Sequence, residues 1–136
     1  MFFVYIIYKY MLSIYLLLLL SLLMEGFVDV TNDGGLKKKI IKEGNGATPP
    51  KGKKVRVHYV GTFTNGKLFD KSDDVFEFVV GVGQVIKGWD IGVMSMKVGE
   101  KAKFWIRSDY AYGKRGAGGV IPPNCDLCFD VELIGF

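Results

Sequence analysis

The sequence is poor in the side chains on which most catalytic sites depend. Among 136 residues there is one histidine, His58, and there are only two cysteines. A Ser/His or Cys/His mechanism needs a histidine beside its nucleophile. The apolar alternation around His58 predicts a strand in which this side chain points to the face opposite that of Tyr59. Nucleophilic catalysis is therefore disfavoured, and we interpret His58 as a structural residue.

The two cysteines, Cys125 and Cys128, have a C-x-x-C spacing. No second pair or neighbouring histidine completes a tetrahedral zinc site. The pair falls inside a predicted strand, where alternation directs the two side chains to opposite faces and disfavours a disulfide. We therefore predict two structural thiols and no metal.

No cofactor is predicted either. Residues 81–83 read Gly-Val-Gly after a predicted strand, but the third glycine of a dinucleotide fingerprint would fall at Ile86. Residues 113–116 carry glycine and basic residues in the wrong order for a P-loop, with no Ser or Thr to hold magnesium. A calcium loop is excluded because the alternating ligands are missing around Asp70, Asp73 and Asp74.

The charge is too small to indicate nucleic acid as the main partner. The formal net charge is +4 at pH 7, whereas nucleic-acid-binding domains usually carry a strong basic patch. Lysines cluster at residues 37–39 and 51–54. We interpret these clusters as solvated strand faces and edges, where lysine discourages pairing between molecules.

The N-terminal segment is strongly apolar. No charged residue occurs from Tyr10 to Met24, and Lys9 precedes this run. A short apolar run behind a positive charge is typical of a secretory signal, and the run is shorter than the ~20 residues of a membrane span. Small residues for cleavage are missing except at Gly26, so an uncleaved anchor is a second interpretation.

A third interpretation is that translation begins at Met24 and the protein is cytoplasmic. If Met1 is the start, the chain enters the secretory pathway or is tethered to a membrane through residues 1–24. We accordingly predict a leader over residues 1–24, a flexible segment over 25–35 and one domain over 36–136, a usual size for a single core.

Past the leader, the pattern predicts short strands with one apolar face each. Residues 53–61, 75–80, 101–107 and 126–133 alternate, and Asn65-Gly66 predicts a hairpin with a type I′ turn. Apolar residues recur at helical spacing from Gly88 to Met96. We predict an α+β fold in which this short helix covers one face of an antiparallel sheet.

A family resemblance rests on several motifs in one order. The strings VHYVGTFTNGKLFD, VIKGWDIGVMSMKVGEKAKFWI, DYAYG, VIPPN and LCFDVEL closely resemble the FKBP-type peptidyl-prolyl cis-trans isomerases. The resemblance extends from about Leu36 to the C-terminus. It implies a five-stranded antiparallel half-barrel wrapped around one short helix, with the active cleft between them.

The resemblance also implies a role for each matching residue. Trp89 would form the floor under a proline ring, and Asp70 would stand beside the twisting amide. The Ile86 N–H and the Tyr112 hydroxyl would hold substrate carbonyls. Val85 and Ile86 would form the rim of the cleft, and Val120 and Ile121 would belong to the flap over it. The walls would be formed by Tyr59, Phe69, Phe76 and Phe129.

The sequence departs from the family pattern at three places. The stretch from Asp70 to Phe76 is short and lacks the arginine that usually pairs with the aspartate. Gln84 replaces a glutamate that often contacts ligand, and the flap tip at 117–119 is Ala-Gly-Gly. We expect these changes to alter affinity and substrate preference more than activity.

The expected partners are proline-containing polypeptides, and the resemblance implies binding of macrolide immunosuppressants such as rapamycin. An alternative function is a module or chaperone that holds a proline-containing segment, with incidental turnover.

Overall fold

The computed structural model describes all 136 residues, Met1–Phe136. Helix α1 spans Phe2–Leu23 and buries none of its side chains. By length and composition it could cross a membrane, although a signal sequence near the N-terminus has the same features. It is longer than the uncharged run because residues 2–9 are also helical. A single apolar helix thus precedes the domain.

The domain is built from seven antiparallel strands and one short helix. The strands are β1 (Val28–Asp29), β2 (Leu36–Lys42), β3 (Lys54–Phe63), β4 (Leu68–Lys71), β5 (Phe76–Val79), β6 (Lys101–Ile106) and β7 (Leu127–Gly135), and helix α2 spans Lys87–Met94. The sheet order is β1-β2-β6-β7-β3-β4, and β5 also pairs with β3. The predicted α+β class is confirmed, with seven strands instead of five.

One added strand lies in a segment for which the sequence predicts only flexibility. Strand β1 pairs with β2 through Val28 and Asp29. A turn follows, in which the Leu36 N–H donates to the Thr31 hydroxyl (3.2 Å). Because two-residue strands have almost no periodic signal, hydropathy could not locate β1.

The core lies between the sheet and α2. Alternate residues of β3, β6 and β7 are buried, including Val57, Phe104 and Val131, and α2 contributes Trp89 and Val93. Each strand presents its other face to solvent, as the alternation predicts. Burial of these apolar side chains is the main force that holds the helix to the sheet.

The β3–β4 hairpin occurs where predicted but has a different turn. Gly66 has φ +90°, whereas Asn65 has negative φ. A type I′ turn requires positive φ at both central residues. The Gly66 N–H instead donates to the Phe63 carbonyl (2.9 Å), which closes a turn with Thr64 and Asn65 at its centre. The predicted turn type was therefore wrong.

One ion pair is enclosed by the domain. Lys38 Nζ lies 3.1 Å from Glu100 Oε2, and their side chains are 10% and 2% exposed. The lysine also donates to the Ser95 carbonyl (3.1 Å). Strand β2 is thereby linked to the residues that follow α2. Removing either partner would leave an uncompensated buried charge.

Candidate active site

A cavity of about 280 Å³ opens between α2 and the sheet. Such a volume is near the lower end of the roughly 300–1,000 Å³ usual for ligand sites. Ten of the twelve predicted site residues line it: Tyr59, Phe69, Asp70, Phe76, Gln84, Val85, Ile86, Trp89, Tyr112 and Phe129. The fold thus brings together residues that are up to 70 positions apart in sequence.

Trp89 lies at the base of the cavity. It belongs to the first turn of α2 and is 6% exposed. Tyr59 and Phe129 meet its ring edge to face, with centroid distances of 4.9 and 5.3 Å. The indole Nε1 is buried without a hydrogen-bond partner. Packing against aromatic rings therefore holds this indole.

The walls come from neighbouring strands. Phe129 of β7 lies opposite Gly61 of β3, and Phe69 of β4 packs edge to face on Phe129 at 5.5 Å. A Cβ atom at Gly61 would lie 2.8 Å from both rings, so only glycine leaves room for them. Sequence reasoning missed Gly61, although an isolated glycine inside a strand indicates close approach of another group.

One hydrogen bond holds the single carboxylate of the cavity. The Tyr59 hydroxyl donates to Asp70 Oδ2 at 2.8 Å. Burial, followed by this bond to the carboxylate, raises the pKa of Tyr59 to about 12. No other side chain contacts the Asp70 carboxylate by a hydrogen bond, in keeping with the missing arginine. Asp70 remains exposed at the mouth of the cavity.

The rim is a loop fixed by Asp90, a residue that sequence reasoning did not select. Its carboxylate accepts hydrogen bonds from the N–H groups of Gly81 (2.8 Å) and Gly83 (2.9 Å). Gln84 Oε1 accepts from the Val79 N–H (2.9 Å). The sequence signal that could have indicated this role is the position of Asp90, an acidic residue in the first turn of a helix that follows a glycine-rich stretch.

Ile86 ends this loop and caps α2. Its carbonyl accepts from the N–H groups of Trp89 (2.9 Å) and Asp90 (3.1 Å). Its own N–H donates to no protein carbonyl or side chain. A backbone donor is therefore free at the rim of the cavity.

Tyr112 lies where the cavity joins a second hollow of about 430 Å³. The residue is 41% exposed, and burial followed by the negative charge of Asp70 raises the pKa of its hydroxyl. Val120 and Ile121 line this second hollow instead of the first. Val120 is 56% exposed, whereas Ile121 is 5% exposed and belongs to the core. Ile121 therefore anchors the flap, and Val120 is its free part.

The histidine and the cysteines lie outside the cavity. His58 is exposed on the opposite face of β3, beside Glu132 of β7. Both cysteines are free thiols and half-buried. Cys125 precedes β7, so the prediction that both cysteines belong to one strand was wrong. Burial raises the pKa of the Cys128 thiol, which disfavours the reactive thiolate.

The molecule contains a small α+β domain with an aromatic-lined cavity between a helix and an antiparallel sheet. Residues 45–134 match the family profile of the FKBP-type peptidyl-prolyl cis-trans isomerases. The chain belongs to this family and is a peptidyl-prolyl cis-trans isomerase.

Relatives from several organisms agree with this assignment. FK506-binding protein 1 of Dictyostelium discoideum is 58% identical over 105 residues, which cover 75% of this chain and 98% of that protein. A peptidyl-prolyl cis-trans isomerase of Schizosaccharomyces pombe is 54% identical over 104 residues, 74% of this chain and 93% of that protein. The solved isomerase from Pseudomonas syringae pv. tomato superimposes with a TM-score of 0.74 at 36% identity and covers 82% of this chain and 80% of its own.

Proposed function

We propose that the aromatic cavity is the active site and that a proline ring binds there on the indole of Trp89. The cavity supports this role by its composition. Eight of its ten lining residues are hydrophobic. The polar atoms at its edge are few, and most of them belong to Tyr59, Asp70, Gln84 and Tyr112. This combination suits a substrate with an apolar ring and two flanking carbonyl groups.

The chemistry follows from the amide bond. Rotation must cross a barrier of ~18–20 kcal/mol, because the twisted amide loses resonance. The twisted form has less charge separation than the planar form. An apolar cavity that excludes water therefore stabilises the twisted form relative to the planar one. Aromatic walls around the proline ring supply this environment without transferring a proton.

Hydrogen bonds at the rim would fix one side of the substrate while the other side turns. The free N–H of Ile86 and the hydroxyl of Tyr112 are the donors that we assign to substrate carbonyls. Asp70, held by Tyr59 at 2.8 Å, would stand beside the rotating amide. Fixing part of the chain lowers the entropy cost of reaching the twisted state.

Trp89→Leu tests the position of the proline ring. We expect kcat/KM for a prolyl peptide to fall about tenfold or more, which corresponds to roughly 1.4 kcal/mol of transition-state stabilisation. The loss of thermal stability should be smaller in proportion than the loss of activity. The matched control is Trp105→Leu, since Trp105 lies on the other face of β6 and is only half-buried. An equal loss of activity and stability in Trp89→Leu would mean that Trp89 is mainly a core residue.

Macrolide immunosuppressants such as rapamycin and FK506 are proposed ligands of the same cavity. The support is the name of the Dictyostelium relative, an FK506-binding protein, together with the aromatic lining described above. We expect FK506 to inhibit isomerisation competitively with the prolyl peptide. Inhibition that persists unchanged in Trp89→Leu would place the drug elsewhere.

The domain is proposed to act on proline-containing polypeptides from a membrane-attached position. A helix of 22 residues is about 33 Å long at ~1.5 Å per residue, enough for a bilayer core of ~30 Å. The residues after it offer only Gly26 as a small cleavage position, which favours a retained anchor. Mass spectrometry of the mature N-terminus tests this. A chain that begins at Met24 or Glu25 would remove the anchor.

A further inference from the structure

The turn between β1 and β2 contacts the segment that leads to Tyr112. Asp33 lies in this turn, and its carboxylate accepts hydrogen bonds from the Tyr110 hydroxyl (2.6 Å), the Thr31 hydroxyl (2.8 Å) and the Gly35 N–H (3.0 Å). Arg107 Nη2 lies 3.2 Å from the same carboxylate. Residue 33 precedes the part of the chain that matches the family profile, residues 45–134.

The ring of Tyr110 is half-buried, and two cations and the turn contact it. Lys87 Nζ lies 5.0 Å from the ring centroid, and the Arg107 guanidinium lies 5.8 Å from it. A Cβ atom at Gly35 would overlap the ring, so the turn approaches Tyr110 as closely as glycine permits. The hydrogen bond from Tyr110 is the main cause that holds the pKa of Asp33 well below its usual range. Asp33 therefore keeps its charge at neutral pH.

Tyr110 is linked to both donors that we assign to the substrate, by the chain to Tyr112 and through Lys87 to the residue beside Ile86. It ends the 3-10 turn Ser108–Tyr110, two residues before Tyr112. The cation over its ring, Lys87, directly follows Ile86 and begins α2. Because Tyr112 follows two residues later in the chain, a shift of Tyr110 would mainly move the Tyr112 hydroxyl.

We propose that Asp33, Arg107 and Tyr110 form a clamp that positions Tyr112 for the isomerase reaction. The clamp residues do not line the cavity, so they act as positioning residues and not as catalytic ones. The proposal rests on the role assigned above to Tyr112. It gives the N-terminal turn, which lies between α1 and the domain core, a part in activity.

The test compares Asp33→Asn and Tyr110→Phe in the full chain, held in detergent micelles and assayed without a coupling protease. We expect each substitution to lower kcat/KM about three- to tenfold, below the roughly hundredfold cost of a 1 Å misplacement. The double variant should lose little more than the more damaging single one, because Asp33→Asn weakens and Tyr110→Phe removes the same contact between residues 33 and 110. Asp29→Asn is the matched control, because it removes an exposed carboxylate paired with Lys37 in the same segment.

The Tyr112→Phe background separates positioning from a merely structural role. If the clamp acts through the Tyr112 hydroxyl, Asp33→Asn should have little further effect once that hydroxyl is gone. An equal fold-loss in both backgrounds, or no loss from Asp33→Asn, would overturn the clamp. If Tyr112→Phe alone changes nothing, the proposed role of Tyr112 fails and the clamp as stated fails with it. If Tyr112→Phe lowers activity and Asp33→Asn does not, the proposed role of Tyr112 stands and only the clamp fails.

Discussion

Two apolar regions of the molecule differ in what surrounds them. Helix α1 is apolar on every side, and no side chain in it is buried. Helix α2 is short, yet it buries Gly88, Trp89, Gly92 and Val93 against the sheet. The aromatic cavity forms beside α2 because side chains from β3, β4, β5 and β7 line it together with those of the helix. Apolar sequence alone therefore does not make a binding site.

The two helices also differ in the environment that their apolar side chains need. A helix that is hydrophobic all round needs lipid or a protein partner. Helix α2 finds its partner within the same domain, and its first turn leaves one indole at the base of an open cavity. Polar atoms lie at the rim of that cavity, whereas α1 has no comparable enclosure.

The largest expected effect is on membrane attachment. Leu16→Arg combined with Leu17→Arg places two charges in the uncharged part of α1. Each should cost about 2.5–3.5 kcal/mol of insertion free energy. We expect the protein to leave the membrane fraction while the isomerase activity per molecule is unchanged. Leu16→Ala with Leu17→Ala is the control. Continued membrane association of the arginine variant would show that α1 does not span.

The next largest effect is on the free energy of unfolding, which should fall for a substitution near α2 but not for one in α1. Met96 lies two residues after the end of α2 and is 0% exposed, whereas Met11 in α1 is 65% exposed. Met96→Ala should lower the free energy of unfolding by about 2–5 kcal/mol through lost burial and a cavity. Met11→Ala should leave it unchanged in denaturant titrations of the chain in detergent. Equal losses would mean that α1 packs on the domain.

A smaller effect concerns the polar rim. Tyr59→Phe removes the hydroxyl that donates to Asp70, and we expect kcat/KM to fall roughly fivefold, equivalent to about 1 kcal/mol, because the bond is partly exposed to solvent. Tyr10→Phe in α1 removes an exposed hydroxyl and should change nothing. Steady-state rates with a prolyl peptide check both. If Tyr59→Phe loses no activity, any role of Asp70 in the reaction does not depend on this hydrogen bond.

The smallest expected effect is that of pH near neutrality. No proton is transferred in the proposed mechanism and the only histidine lies outside the cavity, so kcat/KM should be nearly flat between about pH 6 and 8. A bell-shaped profile or a single limb in this range would contradict the mechanism.

At alkaline pH the raised pKa of Tyr59 should become visible. The pKa rises from an ordinary value of 10.0 to about 12, so folding favours the protonated hydroxyl. Its contribution to stability is fully present below pH 10 and is lost as pH rises through about 12. Ultraviolet titration of the wild type and Tyr59→Phe should differ by one tyrosine ionising near 12. A difference near 10 would mean that the hydroxyl is neither buried nor bonded.

Much of the fold could be predicted from local patterns. Period-two alternation located β3, β5, β6 and β7, and the spacing of Trp89, Val93 and Met96 located α2, but the seven-residue β2 was not among the segments located by alternation. Local patterns failed where geometry depends on the rest of the chain. The turn at Asn65-Gly66 occurs together with a register shift between Gly61 and Thr62, and β1 forms by pairing with the edge of β2.

The candidate site was predicted mainly from family motifs, because an aromatic residue alone cannot be told from a core residue. The supporting residues Gly61 and Asp90 were missed. Their roles depend on rings and backbone groups distant in sequence. Ile121 was predicted to belong to the flap but is buried in the core. The sequence could not show this, because the burial of Ile121 depends on the residues that pack over it.

The sequence by itself determined which segments are apolar, where the strands alternate and how few titratable groups can take part in chemistry. These are properties of neighbouring residues, and local periodicity carries them. Only the tertiary structure decided that ten dispersed side chains enclose one cavity, that the Ile86 N–H stays free at its rim and that the turn at Asp33 reaches Tyr110. Such contacts join residues far apart in the chain, and their distances are set by how the sheet closes around α2.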